Sequence, residues 1–384
     1  MIEKLTDDTR KEGIFLKTAQ NAKYAKDIKN FVTPKEVLSK LDGVKFIGIT
    51  GTNGKTTTAF VLSYILNKLG FNVATQGTEG FFYNLKKKEP KTLTTPPILT
   101  TIKRAFKYKP DFFIMEVSSH AIAQNRIEGI NFFAKILTSF SQDHLDYHKS
   151  IEEYKKIKES FFQDSAIKVV CDNKEALSRF NFNYNLQNLY KIKEPLINDI
   201  KMAGWFNLCN FSLAIKLASI ITSEDIEKIK NIAREFEGVR GRMEVINKEP
   251  LIIVDFAHTP DGIKKVLNSI DGKKVVVFGA GGDRDKDKRK LMGEAANLAD
   301  YVIITNDNPR CEDEVEIAKE IAKGVKKPYE IILNRKDAIK RGIDIAKSGY
   351  SLLVLGKGDE EFIEYCNKKI PFSDRKVIKE CLKS

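Results

Sequence analysis

The segment Gly51-Thr52-Asn53-Gly54-Lys55-Thr56, continued by Thr57 and Thr58, follows the apolar run Val44-Lys45-Phe46-Ile47-Gly48-Ile49 and opens the helical pattern Ala59 to Leu66. A strand, a glycine turn and a helix in that order confine the chain to an α/β unit whose ligand sits at a strand's carboxyl end. Glycines let backbone N–H groups point inward at a polyphosphate, and the helix N-terminus adds positive potential. A lysine can then reach the β- and γ-phosphates, and a threonine hydroxyl can hold Mg²⁺. Gly51 to Thr57 are therefore predicted to bind ATP or GTP. The loop is a variant: the general pattern places its first glycine six residues before the lysine, where this chain has Ile49.

Beyond the loop, short apolar runs alternate with segments of helical period. Strands are predicted near 44–49, 72–75, 111–116, 134–138 and 167–171, with helices near 56–69, 98–107 and 150–162. This alternation predicts an α/β fold with a mostly parallel sheet covered by helices. A second series begins after Gly238-Val239-Arg240-Gly241-Arg242, with strands near 251–255, 274–278, 301–305, 329–333 and 351–355. Its helices are expected near 260–269, 287–298, 314–323, 335–346 and 360–367, making a second α/β domain of about 140 residues. The expected division is a reduced N-terminal module at 1–42, a central domain at 43–240 and a C-terminal domain at 241–384.

With 384 residues the chain can bury more than one core. Hydrophobic residues at 42% and charged residues at 30% describe a globular protein. No apolar run approaches the roughly 18 residues of a membrane span, and the N-terminus is too polar for a signal peptide. A cytoplasmic protein without membrane insertion is expected. Five scattered cysteines, with no Cys-x-x-Cys pair, fit reduced thiols and argue against zinc. The net charge of +13 comes from lysines spread along the chain, with no basic stretch interleaved with aromatics. That pattern fits a solvated surface or an anionic small substrate, and no nucleic-acid partner is expected.

Three further places carry chemistry. Glu116 ends the strand Phe112 to Met115 and precedes Val117-Ser118-Ser119-His120; a carboxylate there is placed to hold Mg²⁺, although a strand-end glutamate is equally often a solvated edge residue. Asp143-His144-Leu145-Asp146-Tyr147-His148 holds two of the four histidines, a density that fits a metal or phosphate site as well as an ordinary loop. Lys158 lies in the amphipathic segment Ile151 to Phe162, where a solvated lysine is the default expectation.

These motifs, with Gly241-Arg242-Met243-Glu244, Asp255-Phe256-Ala257-His258-Thr259-Pro260 and Gly281-Gly282-Asp283-Arg284-Asp285-Lys286, occur in an order that resembles the Mur ligases of peptidoglycan synthesis. The match spans about residues 43 to 376. It is nearest to the members that add the third amino acid to UDP-N-acetylmuramoyl-L-alanyl-D-glutamate. The resemblance implies an N-terminal UDP-binding module, a central P-loop-type ATPase domain and a C-terminal Rossmann-like domain, in an enzyme expected to be a monomer. It implies ATP-dependent amide formation with Mg²⁺.

By position, the resemblance assigns Lys55, Glu116, His144 and Lys158 to catalysis. Thr56, Glu116, His144 and a carbamylated Lys158 would hold the metal. Asn207, Asn210 and Arg242 would attend the adenine and phosphates of ATP. Thr94, Thr95, Ser118, Gln124 and Arg126 would bind the UDP-linked dipeptide. Arg284, Asp307, Asn308, Pro309, Arg310, Gly356 and Glu360 would bind the amino acid, and Asp307-Asn308-Pro309-Arg310 matches members that use meso-2,6-diaminopimelate. Arg310 can grip a second carboxylate bidentately, whereas lysine has none to offer. A charge-assisted hydrogen bond is worth about 1.5–3 kcal/mol.

The chain departs from the family's pattern at several places. Its N-terminal module is short, although Thr6 to Arg10 followed by Gly13-Ile14-Phe15 resembles the uridine-binding opening. Asp359 stands where His is common, Phe256 where Tyr is, and Ser139 and Gln142 are unusual. Alternative readings are the same reaction with L-lysine, a folylpolyglutamate-synthase-like ligase, and, in a different class, a regulatory NTPase.

Overall fold

The computed structural model describes residues 2–8, 10–24, 28–90, 93–141, 145–172, 182–366 and 368–383, with Leu145 and Asp146 described in backbone only. The chain divides into two compact units, one of Met1–Ile200 with Phe206–Phe236, the other of Lys201–Trp205 with Glu237–Ser384.

Three short parallel strands open the first unit: β1 (Leu5–Thr6), β2 (Ile14–Leu16) and β3 (Phe31–Val32). Leu5, Leu16 and Val37 bury themselves against Ile98, Leu99 and Ile102 of the helix Ile98–Tyr108. Each such side chain contributes about 1.5–3 kcal/mol by leaving water, so the short segment is held by packing on its neighbour rather than by its own sheet.

The main sheet of this unit contains β4 (Lys45–Thr50), β5 (Val73–Gly77), β6 (Gly80–Tyr83), β7 (Lys86–Glu89), β8 (Phe112–Glu116), β9 (Phe132–Leu137), β10 (Ile167–Cys171) and β11 (Leu189–Ile192). Their order is β11-β10-β9-β4-β8-β5-β6-β7. All neighbours from β11 to β5 run parallel, and β6 and β7 add an antiparallel edge. Burial on both faces explains why the central strands read as unbroken apolar runs. β4 lies between β8 and β9, so the loop after it opens at the middle of the sheet's carboxyl edge.

In the second unit β12 (Glu244–Lys248), β13 (Leu251–Asp255), β14 (Lys274–Phe278), β15 (Tyr301–Ile304), β16 (Tyr329–Ile331) and β17 (Ser351–Leu355) form a sheet of order β12-β13-β17-β14-β15-β16. Only β12 is antiparallel to its neighbour. The expected strands and helices of both series appear within a few residues of their predicted places, with one exception. The helix expected near 360–367 is instead an antiparallel hairpin of β18 (Phe362–Tyr365) and β19 (Lys368–Pro371). Phe362, Ile363 and Tyr365 are strand formers, and only Ile363 is buried, so an apolar run too short to settle the period was read with the wrong one.

Two other expectations need correction. Cys311 and Cys366, expected as reduced thiols, are joined in a disulfide 55 residues apart in sequence; their wide spacing gave no sign of it. The helix Trp205–Thr222 is long and apolar enough by length and composition to cross a membrane. Its Phe211, Leu213, Ala214, Ile215 and Leu217 are buried in the first unit, as a core helix would place them.

Candidate active site

Gly54 is the N-cap of the helix Lys55–Lys68 and has φ 87°, a left-handed conformation that glycine adopts without a steric cost. A Cβ there would also collide with the Asn210 carboxamide. No side chain caps this helix, and a helix N-terminus carries the partial positive charge that favours an anion. Lys55 Nζ donates to the carbonyls of Gly51 at 2.8 Å and Thr52 at 2.9 Å, folding back over the loop.

The loop is anchored from the next strand. Thr52 N donates to Ser139 O at 2.9 Å, Asn53 N to Ser139 Oγ at 3.0 Å, and Thr138 Oγ1 to Asn53 O at 2.5 Å. Ser139, which stood out only as a departure from pattern, thus braces the backbone of the phosphate loop. Thr52 Oγ1 also lies 3.2 Å from the hydroxyl of Tyr154.

Glu116 is 1% exposed, which removes the solvated-edge reading. Its Oε1 accepts from Thr56 Oγ1 at 2.9 Å and Thr78 N at 3.1 Å, while Oε2 accepts from Thr78 Oγ1 at 3.1 Å. Thr95 Oγ1 donates to the Glu116 carbonyl at 2.9 Å and accepts from Ser118 N at 3.0 Å. Arg126 Nη1 donates to Thr95 O at 3.0 Å and Nη2 to the Gln124 side chain. Thr94 joins through a 3.2 Å hydroxyl contact with Thr78. The residues matched to the dipeptide ligand therefore form one hydrogen-bonded chain leading to Glu116. Thr78 belongs to it and was not foreseen.

Lys158 is 1% exposed rather than solvated. Its Nζ donates to Thr50 Oγ1 at 3.2 Å, at the root of the phosphate loop, and lies 4.9 Å over the Tyr154 ring. His148 is fully buried with Nε2 2.8 Å from Ser119 Oγ, while His144 lies outside the described residues. Among the described residues no cluster of three His, Cys, Asp or Glu side chains is placed to hold a metal. The oxygens of Thr56 and Glu116 nevertheless suit a hard cation that keeps several waters. Asn207 and Asn210 share a buried 3.1 Å hydrogen bond on the helix Trp205–Thr222, with Asn210 against Gly54.

In the second unit Arg242 stacks on Phe256, its guanidinium carbon 4.4 Å from the ring centroid. The neighbouring Asp255 accepts from Met243 N and Ala257 N, each at 2.7 Å, and burial pushes its carboxyl above the ordinary range.

Asp307 to Arg310 follow β15 and meet the loop after β17. Lys357 is fully buried, and its Nζ donates to Asn308 Oδ1 at 3.1 Å and Glu360 Oε2 at 2.9 Å. Asn308 Nδ2 donates to the same Glu360 oxygen at 2.9 Å. Gly356, at φ 107°, leaves the space that Asp307 Oδ2 approaches. Burial raises the Asp307 carboxyl, with Lys357 and Arg335 opposing. Arg310 Nη1 donates to Gly282 O at 2.6 Å, and its Nε lies 3.3 Å from Glu364 Oε2. Arg284 and Arg310 both pass Gly281. The residues matched to the amino acid are thus gathered at one end of this sheet. Lys357, Glu364 and the buried Arg335 join them, unforeseen because no spacing rule singles them out.

A phosphate loop at a sheet's carboxyl edge, with a buried acid beside its threonine, defines a P-loop nucleotide-using α/β protein with a second Rossmann-like unit. The chain belongs to the Mur ligase family: the Mur ligase middle domain matches residues 49–193, and the Mur ligase glutamate ligase domain matches residues 241–358. A UDP-N-acetylmuramoyl-L-alanyl-D-glutamate–2,6-diaminopimelate ligase of Wolinella succinogenes is 40% identical, covering 99% of this chain and 96% of the relative. A solved structure with the same enzyme name is 26% identical at TM-score 0.60, covering 93% of this chain and 85% of that one. Folylpolyglutamate synthase of Mycobacterium tuberculosis, solved with ADP and AMPPCP, shares the fold at TM-score 0.65 and 16% identity, covering 84% of this chain and 91% of that one.

Proposed function

We propose that this chain is an ATP-dependent ligase that joins meso-2,6-diaminopimelate to UDP-N-acetylmuramoyl-L-alanyl-D-glutamate in peptidoglycan synthesis. The observation that carries the reading is the end-to-end match, at 40% identity, to a relative of that name. ATP is the energy source, Mg²⁺ the metal, and the expected setting is a cytoplasmic monomer acting on small molecules.

In this reading residues 1–42 are a reduced UDP-binding module, 43–240 the ATPase domain and 241–384 the amino-acid domain. Gly51 to Thr57 cradle the phosphates of ATP, with Asn207, Asn210 and Arg242 toward the nucleoside and phosphates. Thr94, Thr95, Ser118, Gln124 and Arg126 hold the UDP-linked dipeptide, so its D-glutamate γ-carboxylate reaches the region of Glu116. That carboxylate attacks the γ-phosphorus of ATP, giving an acyl phosphate and ADP. Lys55 leaves its loop carbonyls to neutralise charge on the transferring group. Thr56, Glu116, His144 and a carbamylated Lys158 would hold Mg²⁺, which when bound spreads the charge of the phosphate oxygens. The burial of Lys158 and its 3.2 Å bond to Thr50 Oγ1 support this assignment.

The amine of diaminopimelate then attacks the acyl carbon, and the tetrahedral intermediate expels phosphate to leave an amide. Asp307, Asn308, Pro309, Gly356 and Glu360 orient the amino acid, and Arg284 and Arg310 meet its distal carboxylate. L-lysine has no distal carboxylate and so forgoes the charge-assisted hydrogen bonds that the half-buried Arg310 and the exposed Arg284 would make. The phosphate loop belongs to the first unit and the residues matched to the amino acid belong to the second.

Phosphate release in the presence of ATP tests this assignment. Turnover is expected only when both the UDP-linked dipeptide and diaminopimelate are present. Turnover with neither would indicate a regulatory NTPase, and turnover with a folate and glutamate would indicate the folylpolyglutamate reaction.

A further inference from the structure

The disulfide Cys311–Cys366 lies beside the amino-acid site and plays no part in the mechanism above. Cys311 directly follows Arg310, and Cys366 lies two residues after Glu364. Both cysteines are exposed, whereas Cys171 and Cys209 are buried, Cys381 is half-buried, and none of these three is disulfide-bonded. The hairpin that carries Glu364 and Cys366 is a two-stranded sheet of its own, and β19 is exposed throughout. It meets the Arg310 segment through two backbone bonds, Arg310 N to Glu364 O at 3.0 Å and Cys366 N to Arg310 O at 2.7 Å. Arg310 at φ 51° and Cys366 at φ 37° both take the left-handed conformation that residues other than glycine adopt at a cost.

The same junction sets what Arg310 can offer a ligand. Nη1 is taken by Gly282 O, and Nε faces the Glu364 carboxylate at 3.3 Å. A bidentate grip along the Nε–Nη2 edge therefore requires Glu364 to withdraw. We propose that Cys311 and Cys366 are a reversible dithiol–disulfide couple whose oxidised form pins Glu364 on Arg310 and weakens the site's hold on a dicarboxylic amine. The proposal rests on the reading of Arg310 as the grip for the amine's second carboxylate.

Oxidation proceeds by exchange with a small-molecule disulfide such as oxidised glutathione. One cysteine thiolate attacks it, forms a mixed disulfide and releases a thiol; the second cysteine thiolate then displaces the other thiol. The two protein sulfurs lose two electrons and two protons in all, and the small disulfide is reduced to two thiols. In a reducing compartment the accessible bond returns to the dithiol, and the hairpin is left with its backbone bonds to Arg310, the bond from Glu364 N to Asn308 Oδ1 at 2.9 Å and the 3.4 Å contact of Asn306 with the Tyr365 hydroxyl.

The test uses the full chain, treated with dithiothreitol or with oxidised glutathione, and alkylation followed by peptide mass mapping reads the state of the cysteines. The KM for diaminopimelate is expected to be about two- to fivefold higher in the oxidised enzyme, the scale of a partly exposed ion pair. The KM for ATP should not change. Cys311→Ser and Cys366→Ser should hold the reduced value under both treatments, and Glu364→Gln should form the disulfide yet lose the KM difference. Full alkylation of both cysteines after excess oxidised glutathione would overturn the proposal, as would equal KM values in the two states. Absence of turnover with diaminopimelate in both states would instead overturn the reading of the site, and the affinity claim with it, whatever the cysteine map shows.

Discussion

Lys55 and Asp307 show two ways in which a site residue is held before its substrate arrives. Lys55 is parked on two loop carbonyls, which a polyphosphate would outbid by charge. Lys55→Ala should lower kcat for phosphate release by about 10²–10³, with the circular dichroism spectrum unchanged; a smaller loss than tenfold would deny it the charge-neutralising role. Asp307 is held at the expense of stability, because burial raises its carboxyl. An unfolded aspartate loses its proton near pH 3.9, whereas folded Asp307 keeps its proton to higher pH. Between those values the folded state binds more protons, so stability falls as pH rises through the window. Asp307→Asn removes this contribution, and urea unfolding should show its advantage over the parent chain growing from about pH 4 upward. Parallel stability curves for the two proteins would contradict this.

At the scale of elements, the loops that form the amino-acid site are tied together from below. Arg335 and Asp374 are fully buried and form a bidentate pair at 2.7 Å for each bond. Arg335 also donates to Asn306 O and Leu355 O, each at 2.9 Å, which joins the segment before Asp307 to the one before Gly356. Arg335→Met should cost about 3–5 kcal/mol by leaving Asp374 unpaired, and the double change with Asp374→Leu should recover most of it. Urea unfolding of both variants measures this, and a double variant no better than the single one would refute the charge argument. Parallel strands were legible in the sequence because burial on both faces leaves uninterrupted apolar runs such as Val275 to Phe278. The strands β1 to β3 were not, since two or three residues carry no period. The hairpin at 362–371 was missed because Glu360-Glu361-Phe362-Ile363 fits either period. Lys158 was misread because an amphipathic pattern reports a helix face, and its neighbours Lys155 and Lys156 mark the same helix as polar.

At the scale of the whole molecule, the order of motifs was legible and their meeting places were not. Glu116 and Thr56 are 60 residues apart yet 2.9 Å from each other, and Asn308 and Glu360, 52 apart, share a 2.9 Å bond. Such juxtapositions follow from sheet order, which strand patterns do not encode. The central claim, that this chain selects a diamino dicarboxylate, is tested most directly by comparing kcat/KM for meso-2,6-diaminopimelate and L-lysine in phosphate release with ATP and the UDP-linked dipeptide. The amide product should be confirmed by mass. A preference for diaminopimelate of at least about a hundredfold is expected, falling by most of that factor in Arg310→Ala; equal kcat/KM for the two amino acids would refute selection of the dicarboxylate.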